Sequence, residues 1–136
     1  MTRAELIEAL ETAQGANRGL FVEAFDCCHP APCGDVGAPV PNAYYAWLRV
    51  KDRFCHLLNT DAYLDAAMML LPVGWRIYTA DFSVKGRFRW MLEGPKTLWE
   101  TDENVDRCGG ADWYSQGIAA TPALALAAAC LRAGGE

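Results

Sequence analysis

Hydrophobic residues near the N-terminus recur at helical spacing, with polar residues between them. Leu6, Ile7 and Leu10 share one side, and glutamates occupy much of the remainder. Thr2 and Glu5 have the spacing of a capping box, in which each side chain bonds the backbone N–H of the other residue. The pattern predicts a surface helix at the start of the chain.

A second apolar stripe follows the break at Gly15 and Asn17. It predicts a short helix in "NRGLFVEAFDCC" whose apolar face has four members: Leu20, Phe21, Ala24 and Phe25. Residues 29–42 then contain four prolines and two glycines, which exclude a regular helix and leave few donors for a strand. We therefore expect a Cys- and Pro-rich loop at about 27–42.

Residues 43–58 are ambiguous in their hydrophobic pattern. A helical stripe is possible through four residues: Trp47, Val50, Phe54 and Leu57. The aromatic and apolar runs also suit two strands that turn near Lys51-Asp52. We favour the two strands.

The stretch "TDAYLDAAMMLLPVGW" has the pattern of a helix that ends before a strand. Thr60 or Asp61 can cap the helix, and Pro72 ends it. Its predicted apolar face comprises Leu64, Ala67, Met68 and Leu71. Trp75 then begins an extended segment.

Alternation in the next segment predicts a hairpin and its register. A three-residue loop, Val84-Lys85-Gly86, with Gly86 at positive φ, places apolar residues opposite one another and opposite charges together. The predicted pairs are Phe82 with Phe88, Ala80 with Trp90, Tyr78 with Leu92, and Asp81 with Arg89. The three apolar pairs should share a buried face.

The C-terminal third of the chain predicts further strands and one buried helix. Residues 96–101 form a candidate third strand, and a short extended piece runs from about Trp113 to Ile118. Thr121 then caps a helix with Pro122 at its first position, and the helix continues almost without polar residues until Gly134. Such a helix is expected to be buried on most sides.

Two of these segments resemble the phage ABA sandwich domain family, which comprises small tailed-phage and prophage proteins. They are "YLDAAMMLLPVGW" at 63–75 and "AATPALALAAACLRA" at 119–133, and the N-terminal "LIEALETAQGANRGL" is similar to that family's opening helix. The resemblance implies an α/β (α+β) fold, an α-β-α sandwich in which helices cover a small antiparallel sheet. It also implies a mobile-element origin but no activity. The segment from Cys27 to Pro41 has no counterpart in the family and is interpreted as an insertion.

Composition narrows the classes of function. The chain has 136 residues, 52% of them hydrophobic, which is enough for one domain over 1–136 without a structural metal. A net charge of −5 and a pI near 5.0 argue against a nucleic-acid partner or an anionic membrane surface. No apolar run is long enough for a transmembrane helix, and the N-terminus lacks a signal-peptide core. We expect a cytoplasmic protein of a bacterial host, with its six cysteines reduced.

The most chemically suggestive stretch is "CCHPAPC", with Cys27, Cys28, His29 and Cys33 as candidate metal ligands. Structural zinc sites usually repeat a ligand pair spaced by two to four residues, whereas here two cysteines are adjacent and no second pair of that kind exists. We therefore expect no metal or other cofactor. A small metal-binding protein remains the alternative.

Catalysis by a thiol would need an imidazole base, and the chain offers only His29 and His56. Each follows a cysteine directly, which does not by itself bring the two side chains together. The chain also lacks a phosphate-binding glycine loop and a nucleophile elbow. We expect no enzyme, with a thiol-dependent enzyme as a second alternative.

Two charged and aromatic clusters are candidates for partner binding. Arg87 and Arg89 lie on the hairpin, and Trp99 and Trp113 flank an acidic loop. A host or phage protein is the expected partner, and the two clusters could also meet in a homodimer. The sequence thus predicts a phage accessory protein that acts by protein binding.

Overall fold

Five α-helices and three strands, with a short 3₁₀ turn at Val84–Gly86, form the regular structure in the described residues of the computed structural model, which are 1–15, 17–32, 42–95 and 114–134. The helices are α1 (Arg3–Thr12), α2 (Arg18–Cys28), α3 (Asn42–Asn59), α4 (Tyr63–Met68) and α5 (Pro122–Ala133). The strands are β1 (Arg76–Ser83), β2 (Arg87–Glu93) and β3 (Tyr114–Ala119). Within this part of the chain they form one antiparallel sheet in the order β1-β2-β3. The predicted α+β class, with a small antiparallel sheet covered by helices, is confirmed.

The ends of three helices are held by local side-chain bonds. Thr2 Oγ1 accepts the N–H of Glu5 at 3.1 Å, and the Glu5 carboxylate accepts the N–H of Thr2 at 2.9 Å, so the capping box is confirmed. Asn17 accepts the N–H of Leu20 at the start of α2. Thr121 Oγ1 accepts the N–H of Leu124 at 3.2 Å, with proline at the first turn of α5 as predicted. These bonds satisfy donors that a helix start leaves without intrahelical partners.

The hairpin has the predicted register over most of its length. Pairs Phe82–Phe88, Ala80–Trp90 and Asp81–Arg89 are all present, and Ser83 opposite Arg87 leaves a three-residue connection. The predicted pair of Tyr78 with Leu92 is wrong, because an irregularity between Ile77 and Thr79 places Ile77 opposite Leu92. The extra residue in β1 has the effect of a β-bulge, which shifts by one position the two pairs farther from the turn, Ile77 with Leu92 and Arg76 with Glu93.

Helix α5 is the centre of the packing. Every residue from Ala123 to Leu131 is buried, including Leu124, Ala128 and Leu131, and the helix contacts β2, β3, α1, α2 and α4. Its small side chains allow an approach so close that a methyl group on Gly117 of β3 would collide with the carbonyl oxygen of Ala125. Buried apolar residues from all five helices, with Leu92 and Ala119 from the sheet, form one cluster around it.

Strand β1 extends beyond the area that α5 covers. Phe82 and Phe88 do share a face, with their ring centroids 5.0 Å apart in an edge-on arrangement. Phe88 packs against the core, but Phe82 is 65% exposed and Tyr78 is 54% exposed, and Ala80 is exposed as well, so the expectation of a buried face is wrong for the β1 members of the three pairs. The register decides which side chains share a face, whereas the helix above the face decides which of them lose contact with water.

Residues 43–58 are a single helix, not two strands that turn near Lys51-Asp52. Helix α3 buries Phe54 and Leu58, and Trp47 packs partly against the same core. Lys51 stands over the Trp47 ring at 5.1 Å and forms an ion pair with Asp26 of α2 at 2.9 Å. Residues 43–58 form a helix because the helical period places these apolar residues on the one side that meets α2 and α4.

The predicted apolar face of α4 is rotated in the structure. Ala66, Ala67 and Leu70 are buried, whereas Leu64 and Met68 are 41% and 42% exposed. The small side chains of Ala66 and Ala67 let α4 lie close to α5, and this contact turns the larger residues outward. Leu71 is half-buried against the core, as its place on the predicted face requires.

The cap predicted for α4 is also wrong. Its N-cap residue is Ala62, without a side-chain bond, while Thr60 Oγ1 donates back to carbonyl groups of α3. The N–H groups of Asp61 and Ala62 bond the carbonyls of Leu58 and Leu57, the pattern of a Schellman motif. Thr60 and Asp61 therefore end α3 rather than begin α4.

Candidate functional site

Two of the three cysteines proposed as metal ligands belong to a helix, not to a loop. Cys27 and Cys28 are the last two residues of α2, and His29 is its C-cap, so the loop predicted at about 27–42 begins later than expected. Cys33 lies outside the described residues, as do 34–41. Consecutive helix residues point about 100° apart, so Cys27 and Cys28 do not direct their thiols at one point.

Burial makes two of the thiols harder to ionise than an ordinary cysteine. It raises the pKa of Cys28 from 9.0 to about 11, and the nearby charge of Arg3 lowers it only in part. Burial also raises the pKa of Cys130, which lies inside α5. Because the thiolate is both the metal ligand and the nucleophile, these two cysteines are poorly suited to either role.

His29 is engaged in joining three helices. Its Nε2 lies 2.9 Å from the carbonyl oxygen of Met69, which can only accept, so Nε2 carries the proton. Its own carbonyl accepts the indole N–H of Trp47 at 2.6 Å, and its ring packs on Phe25 with centroids 5.0 Å apart. These bonds connect the end of α2 with α3 and with the turn after α4.

The second cysteine and histidine pair, Cys55 and His56, lies on α3. The two are consecutive helix residues, so their side chains diverge in the same way as those of Cys27 and Cys28. Across the described ranges, no three histidine, cysteine or carboxylate side chains come together in an arrangement that could hold a metal ion.

The basic residues predicted to bind a partner are already occupied within the chain. Arg89 donates two hydrogen bonds to Asp81, the shorter at 2.7 Å, and these bonds raise the pKa of Arg89. Arg87 donates to the backbone carbonyl of Glu11 at 3.0 Å. Trp99 and Trp113 lie outside the described residues. Arg87 and Arg89 therefore offer less free positive charge than the sequence suggested.

A cleft of about 720 Å³ runs beside β3 and is spanned by an ion pair. The Glu11 carboxylate accepts two bonds of 2.6 Å from Arg132 and also the N–H of Ile118 at 3.1 Å. Arg132 in turn donates to the carbonyl of Gln116 at 2.8 Å. These bonds occupy backbone groups on the outer edge of β3. The arrangement is therefore suited to protecting an edge strand and not to pairing with an additional strand.

A second depression, of about 810 Å³, separates α3 from α4, and we call it the α3–α4 groove. Its lining residues are Ala46, Arg49, Val50, Arg53, Leu57, Asp65, Met68 and Met69. Val50 and Met68 are 43% and 42% exposed. Within the described part of the chain, Arg49 and Arg53 have no hydrogen-bond or ion-pair partner. The groove therefore combines exposed apolar surface with two uncommitted guanidinium groups.

The groove does not follow from the predicted strands at 43–58, because it requires these residues to be helical. On a helix, positions 46, 49, 50, 53 and 57 recur at the spacing of one face, and that spacing was the available signal. The outward orientation of Met68 had no comparable signal, because it depends on how α4 packs against α5.

Comparison with known proteins identified no relative of this chain. No protein-family model, curated protein or solved structure matches the chain. Among the described helices, none is both long enough and apolar enough to cross a membrane.

Proposed function

We propose that this protein acts without catalysis by binding another protein, and that the α3–α4 groove is its docking surface. The observation that carries the proposal is the exposed apolar floor at Val50 and Met68, bordered by the unpaired Arg49 and Arg53. Apolar side chains in a concave surface with a charged rim are typical of a protein-binding site.

The state of the thiols and histidines supports a role without catalysis. Burial raises the pKa of Cys28 to about 11, so its thiol does not supply the thiolate that nucleophilic catalysis requires at neutral pH, and the Nε2 of His29 bonds the Met69 carbonyl. Cys55 and His56 diverge from one another on α3. The groove itself contains arginines and one aspartate but no cysteine or histidine.

We further propose that the protein is an accessory factor of a phage or prophage, acting in the cytoplasm of the bacterial host on a host or phage protein. The support is the resemblance of residues 63–75 and 119–133 to phage ABA sandwich proteins. The α+β fold is consistent with what that resemblance implies. The resemblance contributes no catalytic residue, which agrees with a binding role.

A pair of variants tests whether binding uses the groove. Met68→Glu places a charge on the groove floor at a partly exposed position, and Thr79→Glu places the same charge on exposed β1. Each tagged protein is incubated with host lysate, and the captured proteins are compared by mass spectrometry after circular dichroism has established equal folding. We expect specific partners to be lost with Met68→Glu and retained with Thr79→Glu. Capture that is equal for both variants and the parent protein would exclude the groove as the docking surface.

A further inference from the structure

We propose that the α3–α4 groove binds an amphipathic helix with acidic residues on one flank of its apolar stripe. This inference rests on the proposed function and specifies the chemistry of its partner. It follows from three properties of the groove, which are its length, the composition of its floor and the charge along one rim.

The α3 wall of the groove is long enough for a short helix, and the shorter wall from Asp65 to Met69 faces part of that length. Its lining on α3 runs from Ala46 to Leu57, a distance of about 16 Å at 1.5 Å per residue. Three turns of a partner helix cover the same length. Binding of an apolar helix face in a groove between two helices is a recurring mode of peptide recognition.

The floor is apolar and adaptable. Val50 and Leu57 supply it from α3, and Met68 and the C-cap residue Met69 supply it from the end of α4. Methionine side chains are unbranched and flexible, so they can adjust to partner side chains of different shapes. A partner stripe with apolar residues at i, i+3 or i+4, and i+7 would cover this floor.

The charge along the rim favours an acidic partner. Arg49 and Arg53 are four residues apart on α3 and therefore project on the same side. Their neighbour Lys51 is neutralised by Asp26, whereas neither arginine has a partner among the described residues. With Asp65 included, the groove carries a net charge of about +1 in a chain whose net charge is −5. Guanidinium groups pair with carboxylates through two parallel hydrogen bonds, so glutamate or aspartate is the fitting complement.

Synthetic peptides test this chemistry directly. The acidic peptide has roughly 20 residues, with a leucine stripe at helical spacing and glutamates on its flanks. A second peptide has the same stripe with lysines in place of the glutamates, and a third has the acidic composition without the stripe. Binding to the full chain is followed by fluorescence anisotropy, and the binding site is located from backbone amide shifts in NMR spectra. We expect the acidic peptide to bind at the groove at least roughly tenfold more tightly than either of the others.

A charge swap then tests the contribution of the arginines. Arg49→Glu with Arg53→Glu should weaken binding of the acidic peptide and strengthen binding of the lysine peptide. The matched control is Arg18→Glu with Lys85→Glu, which changes the net charge equally at exposed positions outside the groove. The control should bind like the parent protein. Equal effects of both double variants would overturn the proposed role of the rim.

The results of these experiments distinguish a failure of the acidic-helix proposal from a failure of the proposed function. Lysate partners that are lost with Met68→Glu, together with no preference for the acidic peptide, would support a docking groove and overturn the acidic helix. Tighter binding of the lysine peptide would also overturn it. A single-stranded oligonucleotide could instead shift the amide signals of the groove in the parent protein and fail to bind the Arg49 and Arg53 variants. That result would identify nucleic acid, and not a protein, as the partner.

Discussion

Gly117 is the residue at which the sheet and the central helix come closest. A side chain there would meet the Ala125 carbonyl and lie 2.6 Å from Ala129 N, and backbone atoms cannot move aside as a flexible side chain can. Gly117→Ala should therefore destabilise the fold by several kcal/mol or prevent folding. Urea unfolding measures the effect, with Gly15→Ala as the control because a methyl group at Gly15 has no neighbour within 4 Å. An unfolding free energy that is equal in both variants would contradict the close packing.

Asp61 ends α3 in a conformation that favours glycine. Its φ is 60°, and its N–H bonds the Leu58 carbonyl at 3.1 Å in the Schellman motif. We expect Asp61→Gly to stabilise the protein by about 0.5 to 1 kcal/mol, because glycine adopts positive φ without a steric penalty. Asn59→Gly, at a helical position, should instead destabilise it. The two midpoints of thermal unfolding should thus move in opposite directions, and a lower midpoint for Asp61→Gly would contradict the motif.

The partly buried thiol of Cys28 should make the stability of the protein depend on pH in the alkaline range. Its folded pKa of about 11 lies above the unfolded value of 9.0, so the folded state retains a proton that the unfolded state releases. The resulting stabilisation is complete below pH 9.0 and is lost as the pH rises toward about 11. Between pH 8 and pH 10.5, the unfolding free energy should fall by roughly 2 kcal/mol more in the parent protein than in Cys28→Ala. Equal losses in urea unfolding would show that this thiol does not contribute.

At the level of single elements, the pattern along the chain predicts a helix best where its buried residues follow the helical period and no second apolar surface competes with them. In helix α2, three of the four predicted apolar residues are buried and Leu20 packs partly against the core, and helix α5 is buried from Ala123 to Leu131. On helix α3, the residues that face the core lie beside those that line the groove. Apolar positions therefore extend around more of this helix, and their pattern also resembles that of strands. The ambiguity of residues 43–58 was therefore a property of a helix with two apolar surfaces.

The role of α5 as the central element can be tested at Leu124. This side chain is fully buried, so Leu124→Asp would place a carboxylate without a partner in the core, at a cost of several kcal/mol. The domain should lose its cooperative thermal transition. Leu64→Asp is the control, because Leu64 is 41% exposed on α4 and should tolerate the charge. A melting temperature unaffected by Leu124→Asp would contradict the packing around α5.

At the scale of the whole molecule, folding relies on an apolar cluster to which all five described helices contribute. We expect this core to stabilise the fold without a metal. Burial raises the pKa of Cys28 to about 11, and the Nε2 of His29 bonds the Met69 carbonyl, so neither is a ready zinc ligand. Purified protein should contain well under one equivalent of zinc, and a chelator should leave its thermal midpoint unchanged. Elemental analysis provides the measurement. One equivalent of zinc whose removal lowers the midpoint would instead identify the segment from Cys27 to Cys33 as a metal site.

Local patterns determined those features whose partners lie close together in the chain or across one turn. The capping box of Thr2 and Glu5 needs only three residues of separation, and the pair of Asp81 with Arg89 follows from the length of one loop. The tertiary structure decided which surfaces lose contact with water. Phe82 remains exposed because α5 covers β2 and β3 and leaves the end of β1 uncovered, and Met68 points into the groove because alanines bring α4 close to α5. Such outcomes depend on contacts between residues far apart in sequence, and the spacing of apolar positions within one element cannot specify them.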